Sequence, residues 1–298
     1  MPLPSPYSAP ALTATFWGVR GSLPVPGPSV VRYGGNTSCV SVSLPPEDGR
    51  PERHLVLDAG TGIRRLGRAL AGHDAEVYLA LTHLHNDHVQ GFPFFDPLFE
   101  RGRSLHLLDH HLGPIHGSLL DLFDGVHHPL LPAGIACDVE RVRDEPEAFL
   151  AEHGFAVKRL VVNHPGGAYG YRIEPVGGGG AFVHIPDCEL EQPDGPVPFE
   201  EVVEFCRGAA VLSHDAQYAY EEVPKRLGWG HSSARAACRL AAAAGVGELV
   251  LFHHDPDRDD EAVDELVARS RRLLAPEGIR VRGAAEGLRL AIPVLEPA

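Results

Sequence analysis

The sequence predicts an α/β protein, because segments with strand character and segments with helix character alternate along most of the chain. Residues 76–83 form a nearly continuous apolar run, which is typical of a strand that is buried on both faces. No internal repeat and no linker rich in Pro, Gly or Ser divides the 298 residues. We therefore expect a loose N-terminal arm over residues 1–12 and a single domain over residues 13–298.

The predicted strands are short apolar runs that end at turn-forming residues. In chain order they lie at residues 13–19, 39–44, 54–58, 76–83, 104–109, 156–164, 170–176, 181–187, 209–215, 248–254 and 287–294. Helices are predicted at residues 63–72, 232–245 and 259–275. The second helix has Ser232 or Ser233 as its expected N-cap, and the third is amphipathic. The four glycines at 177–180 predict a hairpin turn and not a phosphate loop, since no helix follows them.

The composition limits the classes of partner. The formal net charge is −14, which repels polyanions and argues against a broad nucleic-acid interface. The argument is limited to the surface as a whole, because bound metal cations could make a pocket locally positive. The N-terminus has no basic or apolar leader pattern and no apolar run reaches the length of a membrane span, so we expect a cytoplasmic protein.

The five cysteines are scattered and include no CxxC pair, so neither a disulfide framework nor a cysteine zinc site is expected. The densest polar pattern is instead the run His-Leu-His-Asn-Asp-His at residues 83–88. His83 and His85 are two residues apart and would share one side of the preceding strand, while Asp87 and His88 follow in the turn. Imidazole and carboxylate ligands suit zinc, iron or manganese. Such a group can contribute to two metal positions, which lie roughly 3.5–4 Å apart in sites that use two metals.

This run, together with the preceding threonine, resembles the signature of the metallo-β-lactamase superfamily. The resemblance implies a four-layer αββα sandwich and three further ligands, each at the end of a predicted strand. The implied ligands of one metal are His83, His85 and His164; those of the other are Asp87, His88 and His253; Asp187 would bridge the two. His254 is the alternative to His253, because adjacent side chains point in different directions; otherwise His254 would orient the ligands or contact substrate.

Longer motifs resemble the phosphodiesterase branch of that superfamily, which includes ribonuclease Z-like enzymes and hydrolases described as cyclic-nucleotide phosphodiesterase-like. These motifs cover residues 16–40, 57–67 and 228–256, within a resemblance that runs from about residue 13 to residue 292. By this resemblance His231 would be catalytic, donating a proton or stabilising developing charge; the alternative is that it caps its helix with Ser232. Arg20 would contact phosphate, or else form a surface salt bridge.

The resemblance implies a hydrolase in which two divalent metal ions activate a water molecule that attacks a small phosphodiester, such as a cyclic nucleotide. Asp87 would orient that water. Zinc is the preferred metal, with manganese or iron as alternatives, and a homodimer is implied by the resemblance alone. The competing functions are an RNA-processing nuclease, a thioester or lactam hydrolase, and a non-catalytic metal-binding scaffold. The chain lacks the long Gly- and Lys/Arg-rich arm of ribonuclease Z, which disfavours precursor tRNA as the substrate.

The His-rich stretch at residues 110–132 matches no motif, and we expect a lid or an interface there. Its histidine pairs, His110 with His111 and His127 with His128, are expected to be solvated and not bound to metal.

Overall fold

The computed structural model of the chain describes residues 12–47, 49–108 and 118–293. All but the last residue of the predicted N-terminal arm lies outside this part of the chain. The strands of the described residues are β1 (Thr13–Gly18), β2 (Cys39–Leu44), β3 (Glu52–Leu57), β4 (Ala75–Ala80), β5 (Ser104–Leu108), β6 (Asp138–Val142), β7 (Phe155–Val162), β8 (Ala168–Pro175), β9 (Phe182–Ile185), β10 (Val211–Asp215), β11 (Glu248–Phe252), β12 (Arg280–Gly283) and β13 (Arg289–Ala291). The α-helices are α1 (Ile63–Leu70), α2 (Asn86–Val89), α3 (Pro146–Glu152), α4 (Phe199–Cys206), α5 (Ala234–Ala244) and α6 (Asp260–Leu274).

The strands form two mixed sheets. The first sheet has the order β13-β1-β2-β3-β4-β5-β6, in which β3 to β6 are parallel and the remaining neighbours are antiparallel. The second sheet has the order β12-β11-β10-β9-β8-β7, in which β9 to β12 are parallel. Within each parallel group, the carboxyl ends of the strands lie at one edge of the sheet, which gathers the loops that follow them.

Three buried apolar clusters alternate with the two sheets and produce four layers. The middle cluster joins the sheets face to face, through residues such as Phe16 on β1 and Phe252 on β11. The outer clusters pack α1 against the first sheet and α4, α5 and α6 against the second. Successive residues of a buried strand serve different clusters, as Val211 and Leu212 on β10 do, because side chains alternate across a strand. The αββα sandwich expected from the sequence is therefore confirmed.

Sequence patterns predicted the central strands and the edge strands β7 and β13, but missed the other two edge strands. β6 and β12, which the sequence did not predict, are short, charged edge strands; three of the five residues of β6 and one of the four residues of β12 are exposed. An edge strand needs no continuous apolar run, because only one side of it is paired and much of it faces water. The predicted glycine turn is confirmed, since Gly177 and Gly178 have φ values of 97° and 99° between the antiparallel strands β8 and β9. None of the helices within the described residues combines the length and apolar character needed to cross a membrane.

The layer between the sheets should carry much of the stability. Phe16 is fully buried there, with ring centroids 6.4 Å from Phe182 and 6.0 Å from Phe252. Replacing Phe16 with alanine should lower the free energy of unfolding by about 3–5 kcal/mol, because it removes apolar contacts and leaves a cavity. Urea denaturation would measure this loss. The control is Leu273→Ala, at a side chain that is 53% exposed, where we expect a change within about 0.5 kcal/mol. Equal effects at the two positions would contradict this packing.

Candidate metal centre

The histidines and aspartates singled out in the sequence come from loops at the carboxyl ends of strands in both sheets. His83 and His85 follow β4, and the short helix α2 then carries Asp87 and His88. The remaining three lie within two residues of the ends of β7, β9 and β11, all in the second sheet. They are His164, Asp187 and His253. The structure brings all seven side chains together where the two sheets meet.

The described residues form three groups that could hold a metal ion, and two of these groups together contain all seven side chains; the third joins Asp187 and His253 to His231. In each group, one nitrogen or oxygen atom of every side chain lies within 4.8 Å of the others. The first group consists of His83, His85, His164 and Asp187. The second group consists of Asp87, His88 and His253. Apart from Asp187, these are the two sets that the resemblance implied.

Asp187 lies between the two groups and presents one carboxylate oxygen to each. Its Oδ1 is 3.1 Å from Nε2 of His88 and 3.3 Å from Nε2 of His253. Its Oδ2 is 3.7 Å from Nε2 of His83 and 3.8 Å from Nε2 of His164. Two ligands bound to one cation at about 2.0–2.2 Å are roughly 3 Å apart, so these separations are compatible with shared cations. This arrangement is compatible with a carboxylate shared between two cations.

Hydrogen bonds on the outer side of the rings fix which nitrogen faces inward. Nδ1 of His88 is 2.7 Å from Oδ2 of Asp58, and Nδ1 of His253 is 2.9 Å from Oε1 of Gln217. Nδ1 of His164 donates to the carbonyl oxygen of Gly230 at 2.9 Å. When Nδ1 carries the hydrogen, each ring presents the lone pair of Nε2 to the cluster, as a metal ligand must.

Several atoms that point into the cluster have no hydrogen-bond partner within the described part of the chain. Nε2 of His83, Nε2 of His88 and Oδ1 of Asp187 are buried there without a hydrogen-bond partner. Buried polar atoms without partners destabilise a fold, so such a group calls for a bound species. The donor set of imidazole nitrogens and carboxylate oxygens fits zinc, manganese or iron.

The electrostatics of the cluster also favour a cation. Burial lowers the pKa of His88, but the carboxylates of Asp187, Asp87 and Asp58 outweigh burial and hold this pKa well above its ordinary value. Burial raises the pKa of Asp187, but His253 and His88 outweigh it and hold that pKa well below the usual range. The Asp187 carboxylate therefore stays ionised and attracts positive charge, for which a proton and a divalent cation compete.

Asp58, which sequence analysis missed, holds His88 in place at this centre. The side chain is fully buried and accepts hydrogen bonds from the backbone N–H of Thr82 at 2.8 Å and from Oγ of Ser38 at 3.0 Å, as well as facing His88. Its φ of 65° is unfavourable for a residue with a side chain, and such strain often marks functional sites. The available signal was an aspartate ending a predicted strand just before Ala59 and Gly60.

His231 lies beside the second group and is held by another buried carboxylate. Its Nδ1 is 2.9 Å from Oδ2 of Asp215 and 3.9 Å from Oδ2 of Asp187, and its ring stacks on His253 at 4.8 Å. Burial lowers the pKa of His231, but Asp215 and Asp187 outweigh it and raise the pKa to about 9. The expected alternative, capping of α5, is wrong, because Oγ of Ser233 accepts the capping hydrogen bond from Ala236.

Residues 53–254 match the family model described as the beta-lactamase superfamily domain. The chain belongs to the metallo-β-lactamase superfamily. The ribonuclease Z of Synechococcus sp. (strain CC9605) is 26% identical over 302 residues, covering 82% of this chain and 87% of that protein.

Solved structures share the fold of this chain. The metallo-beta-lactamase fold protein YhfI from Bacillus subtilis has a TM-score of 0.67 at 18% identity and covers 94% of this chain and 99% of its own. Yeast PDE1 has a TM-score of 0.62 at 14% identity, covering 95% of this chain and 100% of its own. At these identities, the likeness concerns the fold alone.

A second residue that sequence analysis missed is Glu189, which fixes a loop at the metal centre. Its buried carboxylate accepts hydrogen bonds from the backbone N–H of Gly228 at 2.7 Å and of Gly230 at 2.9 Å. Gly230 has a φ of 88°, and a Cβ atom there would lie 2.3 Å from Nδ1 of His164. Only glycine lets the loop approach His164 closely enough to accept its hydrogen bond.

Arg20 has a different role from the phosphate contact expected of it. The side chain is fully buried, and its guanidinium donates to the carbonyl oxygens of Gly34, Asp255 and Arg258 at 2.7–3.1 Å. The guanidinium therefore ties the first loop to the segment after β11 and is not presented to a substrate. The alternative of a surface salt bridge is wrong for the same reason.

His254 also has a role different from the three expected of it, which were metal ligand, group that orients the ligands and substrate contact. It is buried, its Nε2 donates to the carbonyl oxygen of Ala284 at 2.8 Å, and its ring packs against Tyr33 at 5.4 Å. Burial lowers its pKa to about 3, so the ring is neutral. His254 therefore packs away from the cluster, against Ala284 and Tyr33. Its neighbour His253, which has a φ of 59°, faces the cluster.

The His-rich stretch contributes nothing to the two groups among the residues that the structure describes. The side chain of His127 is 86% exposed and pairs with Asp124 at 2.5 Å. The ring of His128 packs against Phe123 at 4.8 Å. His110 and His111 lie outside the described residues.

Asp187 should be required for both metal positions. We expect Asp187→Ala to lose both ions, because each carboxylate oxygen faces one of the two groups. Metal content after dialysis would be measured by atomic emission, with circular dichroism to confirm folding. The control is Asp124→Ala, which removes a surface carboxylate and should retain the metal. Two tightly held ions in Asp187→Ala would rule out a bridging role.

Alanine substitutions should distinguish the roles of the two adjacent histidines after β11. We expect His253→Ala to weaken metal binding and His254→Ala to retain it while lowering stability, because His254 bonds to a backbone carbonyl away from the cluster. Metal titration in the presence of a competing chelator, together with urea denaturation, would measure both effects. A loss of metal affinity in His254→Ala at unchanged stability would reverse the assignment.

Proposed function

We propose that this protein is a metal-dependent phosphodiesterase that hydrolyses a small phosphodiester, such as a cyclic nucleotide. The observation that carries the proposal is His231, an imidazole held by Asp215 within 3.9 Å of the bridging carboxylate of Asp187. Membership of the superfamily supports hydrolysis at a metal centre, and the ribonuclease Z relative supports a phosphodiester bond as the target.

The residues that would hold two divalent cations are the two groups described above, with Asp187 shared between them. Zinc is the preferred metal, with manganese or iron as alternatives. Such cations lower the pKa of water and polarise phosphoryl oxygens, which favours attack by water at neutral pH. Asp87 would accept a hydrogen bond from the attacking water and orient it. Ser22 supports Asp87 by donating its backbone N–H to Oδ2 at 2.8 Å.

His231 would give its proton to the leaving oxygen. An alkoxide leaves slowly unless it is protonated, and a positioned imidazolium supplies that proton. Asp215 orients the ring through Nδ1, which leaves Nε2 as the nitrogen that would carry the transferred proton. Asp215 is held in turn by the backbone N–H groups of Cys188 at 3.1 Å and Gln217 at 3.0 Å.

The second candidate function is RNA processing, and the name of the Synechococcus relative favours it. The net charge of −14 opposes it, because binding a polyanion requires clustered basic residues that displace counterions. A competition assay distinguishes the two functions. If the proposal is right, the enzyme should cleave a small diester in preference to precursor tRNA. Efficient cleavage of precursor tRNA with a steep dependence on salt would replace the proposal with this second function.

The first test is hydrolysis of bis-p-nitrophenyl phosphate, with metal content measured on the same preparation. We expect about two ions per chain and hydrolysis that stops on chelation and returns with zinc or manganese. Two ions without diester hydrolysis would contradict the phosphodiesterase and favour ester, thioester or lactam substrates. The matched control is the Asp187→Ala protein, which should be inactive with either metal.

His231→Ala should separate catalysis from metal binding. We expect turnover to fall by roughly 10²–10⁴-fold, because the leaving oxygen loses its proton donor, while metal content stays unchanged. Asp215→Asn should lower turnover less, since the imidazole remains but its orientation and charge are no longer supported. Steady-state kinetics and metal analysis on each variant check this. Unchanged turnover in His231→Ala would remove the proton-donor role.

A further inference from the structure

We propose that Trp229 is the surface on which the nucleobase of the substrate stacks, which makes the substrate a nucleotide with its base close to the scissile phosphate. The inference rests on the proposed function, and it assigns a specificity-determining residue to the same site. Trp229 is 61% exposed, although tryptophan is usually well buried in a folded protein.

The backbone on which Trp229 sits is firmly held. The flanking residues Gly228 and Gly230 donate their N–H groups to the buried carboxylate of Glu189, and the N–H of Trp229 donates to the carbonyl oxygen of Arg226 at 3.1 Å. Both glycines have positive φ, at 81° and 88°. A rigid backbone that leaves a large indole in water is expected where the indole binds something, because the side chain then loses little entropy on binding.

Trp229 directly precedes two residues that lie at the candidate metal centre. Gly230, the next residue, accepts the hydrogen bond of the ligand His164, and the residue after it is His231. The Cα atoms of Trp229 and His231 are two peptide units apart, at most about 7.6 Å. In a nucleotide, one ribose separates base and phosphate, so a phosphate at His231 leaves its base within reach of the indole.

A positive charge accompanies the indole. The guanidinium carbon of Arg226 is 5.9 Å from the ring centroid of Trp229 and 4.7 Å from that of Tyr218, whose ring packs against His231 at 5.9 Å. Arg226 is paired with Asp255 at 2.9 Å, and its side chain is 30% exposed. An indole beside a guanidinium suits a ligand that combines an aromatic base with a phosphate, because both groups find a complementary partner.

The kinetic test compares two diesters with the same leaving group: thymidine 5′-(p-nitrophenyl phosphate), which has a base, and methyl p-nitrophenyl phosphate, which has none. On the metal-loaded enzyme, Trp229→Ala should raise KM for the thymidine diester by roughly ten- to hundredfold, the range expected for a lost base stack. KM for the methyl diester should change less than about twofold. Equal changes for both diesters, or no change for either, would overturn the proposal.

Two further variants exclude a general disturbance of the loop. Trp229→Phe keeps an aromatic face and should recover part of the affinity for the thymidine diester. Leu227→Ala removes a neighbouring side chain that is 48% exposed, and it should leave KM for both diesters unchanged. A Leu227→Ala protein with the same base-specific loss would attribute the effect to the loop and overturn the role of the indole.

A binding measurement tests Trp229 without relying on catalysis. The chain has two tryptophans, so Trp17→Phe leaves Trp229 as the sole indole reporter. Thymidine 5′-monophosphate should quench its fluorescence, and ribose 5-phosphate should not. If the wild-type enzyme hydrolyses neither diester, the proposed function fails while quenching still supports a nucleotide site. Absence of quenching by thymidine 5′-monophosphate would overturn the stacking role, whatever the activity.

Discussion

A carboxylate buried away from water stays ionised only if positive charge lies close to it, and Asp187 imposes this constraint on its surroundings. Its side chain is 2% exposed, and four imidazoles face its two oxygens at 3.1–3.8 Å. Those imidazoles come from loops after β4, β7 and β11 and from α2. These loops therefore place candidate metal ligands from both sheets around one carboxylate, where a bound cation would compensate its charge.

Groups behind the ligands complete the arrangement. Asp58, Gln217 and the carbonyl of Gly230 each hold the outer nitrogen of one ligand histidine. Asp58 and His253 adopt left-handed backbone conformations, each of which costs of order 1 kcal/mol or more. The remaining packing must offset this strain, and the fully buried clusters on both sides of each sheet provide the stability to do so.

The fold and the clustering of the seven candidate ligands could be predicted from the sequence because both depend on local patterns. The run at residues 83–88 carries four candidate ligands in six positions, and the other three follow the ends of apolar strands. Asp58 and Glu189 were missed because their partners lie far away in the sequence or are backbone atoms. Arg20 was misjudged because a guanidinium that binds carbonyl oxygens has the same sequence appearance as one that binds phosphate. His253 and His254 are adjacent, so only backbone geometry distinguishes them.

The origin of the ligands in both sheets has a consequence for folding. His83, His85, Asp87 and His88 belong to the half of the chain that builds the first sheet, whereas His164, Asp187 and His253 belong to the second. Bound cations would thus act as non-covalent cross-links between the halves, and their binding free energy would add to the free energy of unfolding. Metal supply would then govern the lifetime of the protein against proteases as well as its chemistry, so that starvation for metal would remove the inactive chain.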